Sequence, residues 1–199
     1  MPKPTLRDRR KEETRRLLEE NARRLFARHG FRGTSIDQIA SAAGVSRTTF
    51  FRYFQSKEAV VFARQEEGAE DFARMLSERP PGESPLRVFE EAVVALAKQT
   101  ENDPERKQRA LDVWALYAAN PELRARRAET TQARVGQMAR ALARRDGVEK
   151  PEAVHLVASA VAMELLQQVN EEWQRANGEL PAEKLIRERF KVLRELTAG

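Results

Sequence analysis

The chain has 199 residues, 41% of them hydrophobic, and a net charge of +5, enough for one or two packed units with a sizeable core. It contains no cysteine, which excludes disulfides, thiolate metal sites and cysteine nucleophiles. No apolar run reaches the ~18 residues of a spanning helix, and the charged start from Met1 to Lys11 has no apolar stretch behind it, so neither a membrane span nor a secretion signal is expected and the cytoplasm is the expected location.

The charge is unevenly placed. Residues 1–57 carry 14 Lys and Arg against 6 Asp and Glu, whereas the other 142 residues carry 22 against 25. A basic N-terminal head of this kind is an electrostatic footprint for nucleic acid, with a solvated basic face as the plainer reading.

Apolar residues recur at spacings of three and four throughout, and Pro, Gly, Ser and Asn punctuate them at helix-length intervals, so the spacing predicts an all-α protein of about nine helices. The first helix is expected from about Lys11 to His29, with Leu18, Ala22, Leu25 and Phe26 on one face and Gly30 as its stop. A short helix follows Ser35, whose partner Gln38 completes a Ser-x-x-Gln capping box, and another follows Ser46. Between them, Gly44 in Ala43-Gly44-Val45 supplies the positive φ of a tight turn. Ser56 caps a long fourth helix carrying Val60, Ala63, Phe72, Met75 and Leu76, which the break Pro80-Pro81-Gly82 ends as a candidate domain boundary.

Beyond the break, Ser84-Pro85, Asp103-Pro104 and Asn120-Pro121 each place a capping side chain before a proline at the first helical position. The helix after Asn120 ends near Arg144-Arg145-Asp146-Gly147. Another runs from Pro151 to Asn177-Gly178, and the last from Pro181 to about Leu196. The helix from Pro151 is apolar almost all round, through Val154, Leu156, Val157, Val161, Leu165 and Leu166, which demands burial on every side, in a central core or between its own core and a second subunit. Leu185, Ile186, Phe190, Leu193 and Leu196 of the last helix suit the same interface.

The segment from Thr34 to Phe54 has the build of a helix-turn-helix. Ile39, Ala40 and Val45 pack its two helices together, and Phe50 and Phe54 turn the second helix toward the core. That leaves Arg47, Thr48, Phe51 and Arg52 outward, a donor-rich set with an aromatic for base edges and a thymine methyl. Thr49, Tyr53 and Lys57 are of the type that contact phosphate, and Lys3, Arg7, Arg9, Arg10 and Lys11 form a basic arm. The competing reading is that helical proteins often contain this geometry without touching DNA.

Phe31-Arg32-Gly33-Thr34-Ser35, Ile39-Ala40, Ala43-Gly44-Val45-Ser46 and Thr49-Phe50-Phe51-Arg52-Tyr53-Phe54-Gln55-Ser56-Lys57-Glu58 resemble the signature of the tetracycline-repressor (TetR) family. The resemblance implies phosphate contacts at Thr49, Tyr53 and Lys57 and base contacts at Arg47, Thr48 and Phe51, with Ser35 joining from the preceding helix; Thr48 departs from the glycine of many members. The resemblance implies a head at 1–57 with its basic arm and a ligand-binding and dimerisation domain at 58–199. It further implies a homodimer joined through the last two helices as a four-helix bundle, reading a palindromic double-stranded DNA operator at a spacing of about 34–36 Å. A small effector in the C-terminal core would move the fourth helix, tilt the head and change operator affinity. Asn120 to Arg126 resembles segments of members that respond to acyl-coenzyme A or other lipophilic ligands. Pocket candidates are Phe89, Val93, Trp114, Tyr117, Val135, Met138, Met163, Leu166, Asn170 and Trp173, each of which also suits ordinary core packing; Trp114, Tyr117 and Asn170 add a polar handle.

An enzyme is not expected. His29 and His155 have no metal-spaced partner, and His155 reads as a helix-surface or satisfied core residue. Pairs such as Glu12-Glu13 and Glu171-Glu172 read as solvated charge, and there is no phosphate loop or serine elbow. No cofactor and no metal is called for. The alternative to a repressor is an activator or architectural DNA-binding protein with the same head.

Overall fold

Side-chain caps decide where several helices of this chain begin. In a computed structural model that describes residues 5–197, the described residues form α1 (Leu6–His29), α2 (Ile36–Ala42), α3 (Arg47–Tyr53), α4 (Lys57–Ser77), α5 (Pro85–Glu101), α6 (Pro104–Ala119), α7 (Pro121–Arg145), α8 (Ala153–Arg175) and α9 (Ala182–Thr197), with no strand. Among these residues no helix is long and apolar enough to cross a membrane.

Helix α1 starts at Leu6 rather than Lys11. Thr5 closes a capping box with Asp8: its hydroxyl accepts the Asp8 N–H, and the Asp8 carboxylate accepts the Thr5 N–H at 3.0 Å. The first turns are polar, so the apolar period that locates a helix starts later than the helix does. Arg7, Arg9, Arg10 and Lys11 are therefore helical and exposed rather than a separate arm, and Lys3 lies outside the described residues.

The Ser35–Gln38 box, the Ser46 cap and the Ser84 cap form as expected. Ser56 Oγ accepts the Ala59 N–H and Asp103 Oδ1 the Arg106 N–H. Asn120 departs from its expected role: its amide donates to Leu116 O at 2.8 Å and so closes the end of α6. Helix α8 opens at Ala153, after Glu152 rather than at Pro151, where the Glu152 N–H donates to His155 Nδ1 at 3.0 Å.

The chain packs as two compact units. One takes the described residues up to Glu67 together with Leu116–Leu123; the other takes Gly68–Ala115 and the chain from Arg124. The division falls inside α4, past Lys57 and short of Pro80, so an uninterrupted helix carries the chain from one unit to the other.

In the first unit Leu18, Ala22 and Phe26 of α1 bury against Phe31, Ile39, Ala40, Phe50 and Phe54, with the Phe26 and Phe31 rings 5.2 Å apart. In the second, α5 packs on both α8 and α9, around a core that includes Leu76, Phe89, Met138, Leu142, Trp173 and Phe190. Helix α8 is not enclosed on every side within one chain. Ala158, Ser159, Ala162, Val169 and Trp173 are buried, but Val154, Leu156 and Val157 are 51%, 45% and 62% exposed, because its own unit covers one face only.

Candidate functional site

The outward face of α3 is built from its inward one. Phe50 is fully buried and Phe54 nearly so, their rings 5.8 Å apart, and Gly44 turns the chain between α2 and α3 with φ of 69°. An L-residue there would be strained by about 1 kcal/mol or more. Fixing Phe50 inward rotates Arg47, Thr48, Phe51 and Arg52 outward, and all four are exposed.

The exposed set has internal order. The Arg47 guanidinium lies 5.3 Å from the Phe51 ring centroid and donates to Asp37 Oδ2 of α2 at 2.8 Å. Arg52 lies 5.4 Å from the Tyr53 ring centroid. Thr49 is half-buried, its hydroxyl 2.9 Å from Ser46 Oγ. Ser35 is exposed, its hydroxyl accepting the Gln38 N–H.

Lys57 occupies a different position from the other phosphate-type residues. It is half-buried, and its ammonium donates to Phe31 O at 2.7 Å and Thr34 O at 3.0 Å while lying 4.3 Å from the Phe31 ring centroid. Two of its three N–H groups thus hold the turn between α1 and α2.

Sequence reasoning missed two partners of this unit. Arg32 forms a two-pronged bridge to Glu122, at 2.9 and 3.1 Å; that hydrogen bond holds the Glu122 carboxyl below its ordinary range. Tyr117 stacks on Phe62, ring centroids 5.7 Å apart. Both pairs join segments far apart in the chain, which no local periodicity signals.

The ligand candidates divide accordingly. Tyr117 belongs to the first unit. Phe89, Met138 and Trp173 lie in the core of the second, with Met163 and Leu166 packed against it. Val93 and Val135 are buried, Asn170 is half-buried, and Trp114 is half-buried beneath the Arg127 guanidinium, 4.2 Å from its ring. None of them lines the groove of about 640 Å³ between α5 and α9, whose wall includes Arg87, Glu90, Glu91, Arg187 and Arg194. The charges there pair with one another: buried Glu90 accepts from Arg194, and Arg187 bridges Glu91 and Glu183, which raises its own pKa and lowers that of Glu91; the Glu183 carboxyl is held below its ordinary range by Lys98 first and by Arg187 second.

His155 is a satisfied core residue. Because Nδ1 accepts the Glu152 N–H, the ring proton sits on Nε2 and is donated to Asp146 Oδ2 at 3.1 Å. Asp146 also takes two bonds from buried Arg145, which, more than His155, hold its carboxyl below the usual range. Among the described residues no group of three His, Cys, Asp or Glu side chains is placed to hold a metal.

The sequence profile of "Bacterial regulatory proteins, tetR family" matches residues 18–63. Across 188 residues the chain is 34% identical to the HTH-type transcriptional regulator TcmR of Streptomyces glaucescens, covering 90% of this chain and 81% of that protein. Two solved structures share the fold. The fatty acid degradation regulator FadR from Bacillus halodurans has a TM-score of 0.61 at 20% identity, over 96% of both chains. FadR of Thermus thermophilus, a TetR-family transcriptional repressor in complex with lauroyl-CoA, has a TM-score of 0.54 at 24% identity, over 90% of this chain and 92% of that one.

Proposed function

Since this chain belongs to the tetR family of bacterial regulatory proteins, we propose that it is a ligand-responsive repressor that binds a palindromic operator as a homodimer. The observation that carries this is the exposed face of α3: Arg47, Thr48, Phe51 and Arg52 stand outward on a helix locked from beneath by Phe50 and Phe54, within a basic head. In this reading Arg47 and Arg52 donate to base edges, Thr48 and Phe51 meet bases through apolar contact, and Ser35, Thr49 and Tyr53 set register on phosphates. Lys57 adds positive charge beside the backbone and reaches a phosphate with what its two carbonyl bonds leave.

The dimer is formed by α8 and α9. Val154, Leu156 and Val157 of α8 and Val192 and Leu196 of α9 are exposed apolar side chains on the two helices, and large exposed apolar residues on adjacent helices mark association surfaces. Self-association would place two α3 helices for successive major grooves, about 34–36 Å apart.

The effector is small and lipophilic, of the acyl-coenzyme A kind or similar, and binds the second unit among Phe89, Trp114, Met138, Met163, Leu166, Asn170 and Trp173. Lauroyl-CoA in the Thermus thermophilus relative supports this class. Helices α4, α6 and α7 each contribute residues to both units, so a ligand that shifts them in one unit has a covalent route to the other.

The test is footprinting of the purified protein on the region upstream of its own gene, with competitor DNA and varied salt. Protection of a palindrome, tighter than on competitor and released by a lipophilic ligand, is the expected result. Binding that never exceeds competitor on any sequence in a genome-wide selection would reject operator reading.

A further inference from the structure

We propose that the first two turns of α1 lie along the DNA backbone outside the bases that α3 reads, with Arg7 and Lys11 contacting phosphates that flank the half-site. The inference rests on the reading of α3 as the operator-reading helix, and adds a second contact surface on another helix and the part of the DNA that it takes.

Helix α1 is longer than its head needs. Leu18, Ala22 and Phe26 are buried, but every residue from Thr5 to Glu13 is exposed, so about 12 Å of helix stands clear of the core at 1.5 Å per residue. A helix that short is marginal in water by itself; here the Thr5–Asp8 capping box closes its free end and the buried turns hold the other. The face that buries Leu18 and Ala22 runs on through Arg15, Lys11 and Arg7 at the same spacings of three and four. Where core-facing residues would continue, the sequence places cations. The Arg15 guanidinium lies 5.7 Å from the Phe54 ring centroid, at the end of α3 and directly after Arg52 and Tyr53 in the chain, so the stripe leaves the head beside the DNA-facing helix. Lys11 lies about 6 Å and Arg7 about 12 Å farther along the axis.

The stripe carries one sign of charge. Asp8, Arg9, Glu12, Glu13 and Arg16 line a shallow depression on another side of the helix, where acids and arginines nearly balance, and the Asp8 carboxylate is taken up by the Thr5 N–H and hydroxyl. Among the described residues Arg7, Arg10 and Lys11 form no ion pair. An exposed row of cations without ion-pair partners repels itself, and an anionic rod laid along it relieves that repulsion. Phosphates are the fitting partner, because they repeat along a strand as the cations repeat along the helix, and contact with them requires no entry into a groove.

The experiment is salt-dependent binding of the full-length protein to a duplex that wild type selects from a random-sequence pool, with intact or trimmed flanks, and to a scrambled duplex. Arg7→Gln and Lys11→Gln are compared with Arg9→Gln, which removes the same charge from the opposite side of the helix; glutamine keeps the helix propensity. Arg7→Gln and Lys11→Gln should each lower the salt slope by about one per bound head, and should weaken the selected and scrambled duplexes by the same factor. Hydroxyl-radical protection should be lost on the flanks alone, and trimming the flanks should weaken wild type more than the double variant. Arg9→Gln should keep the wild-type slope. A slope unchanged by Arg7→Gln and Lys11→Gln, or lowered equally by all three variants, overturns the backbone contact while leaving operator reading by α3 in place. No duplex bound more tightly than scrambled DNA overturns both.

Discussion

Arg47 on the recognition-type helix and Asp37 on the helix before it form an exposed ion pair at 2.8 Å, so the residue best placed to read a base is held by an acid that DNA phosphates would repel. Arg47→Ala should cost about 1–3 kcal/mol on the cognate operator and relax preference at one base. Asp37→Asn should act in the opposite direction, raising affinity by up to about fivefold through release of an exposed pair worth roughly 0.2–1 kcal/mol. Its cost is the carboxylate in the first turn of α2, about 0.3–1 kcal/mol of stability. Operator titrations and urea unfolding of the two variants check both; an Arg47→Ala protein with unchanged affinity and preference removes Arg47 from readout.

Lys57 has a measurable structural job. Lys57→Met keeps the stem over Phe31 and loses two charge-assisted bonds to backbone carbonyls, so urea unfolding should show a loss of about 1.5–3 kcal/mol. Salt titration of DNA binding separates the second role: a phosphate contact lowers the slope by about one on substitution, and a purely structural lysine leaves it unchanged.

The pair Asp146–Arg145 makes a pH-dependent prediction. The Arg145 side chain is 1% exposed, and Asp146→Asn leaves its charge uncompensated, at a cost of about 3–5 kcal/mol at neutral pH. Because Asp146 has a depressed pKa in the folded chain, its contribution is fully present above the unfolded value of about 3.9 and is lost as pH falls through the lower folded value. Wild type and Asp146→Asn should therefore differ most above pH ~4 and converge in stronger acid. A gap that stays constant across that window contradicts the assignment.

Val157 is 62% exposed within one chain, so Val157→Glu should leave the fold intact. In a two-fold dimer the charge enters the interface twice, and losing the burial of two valines, about 1.5–3 kcal/mol each, should weaken association at least tenfold. Analytical ultracentrifugation reads this directly; a Val157→Glu protein that remains dimeric at the wild-type concentration midpoint places the interface elsewhere.

Most of the helical layout is a local property and was readable along the chain. Ser35 with Gln38, Ser46, Ser56, Ser84 and Asp103 each satisfy backbone groups within three residues of themselves, and Phe50 and Phe54 sit one helical turn apart, so cap and period determine α2, α3 and the outward set Arg47, Thr48, Phe51 and Arg52 without knowledge of anything distant. The early start of α1 escaped because Thr5 and Asp8 cap a turn that carries no apolar period. What the tertiary structure alone decided are relationships between side chains far apart in sequence: Glu122 on Arg32, Tyr117 on Phe62, and Lys57 on the carbonyls of Phe31 and Thr34. Their physical basis is mutual satisfaction of charge, hydrogen bond and ring surface across segments that only folding brings together. Nothing in the periodicity of either segment encodes its partner, and for the same reason an all-round apolar α8 did not announce which of its faces its own chain would leave uncovered.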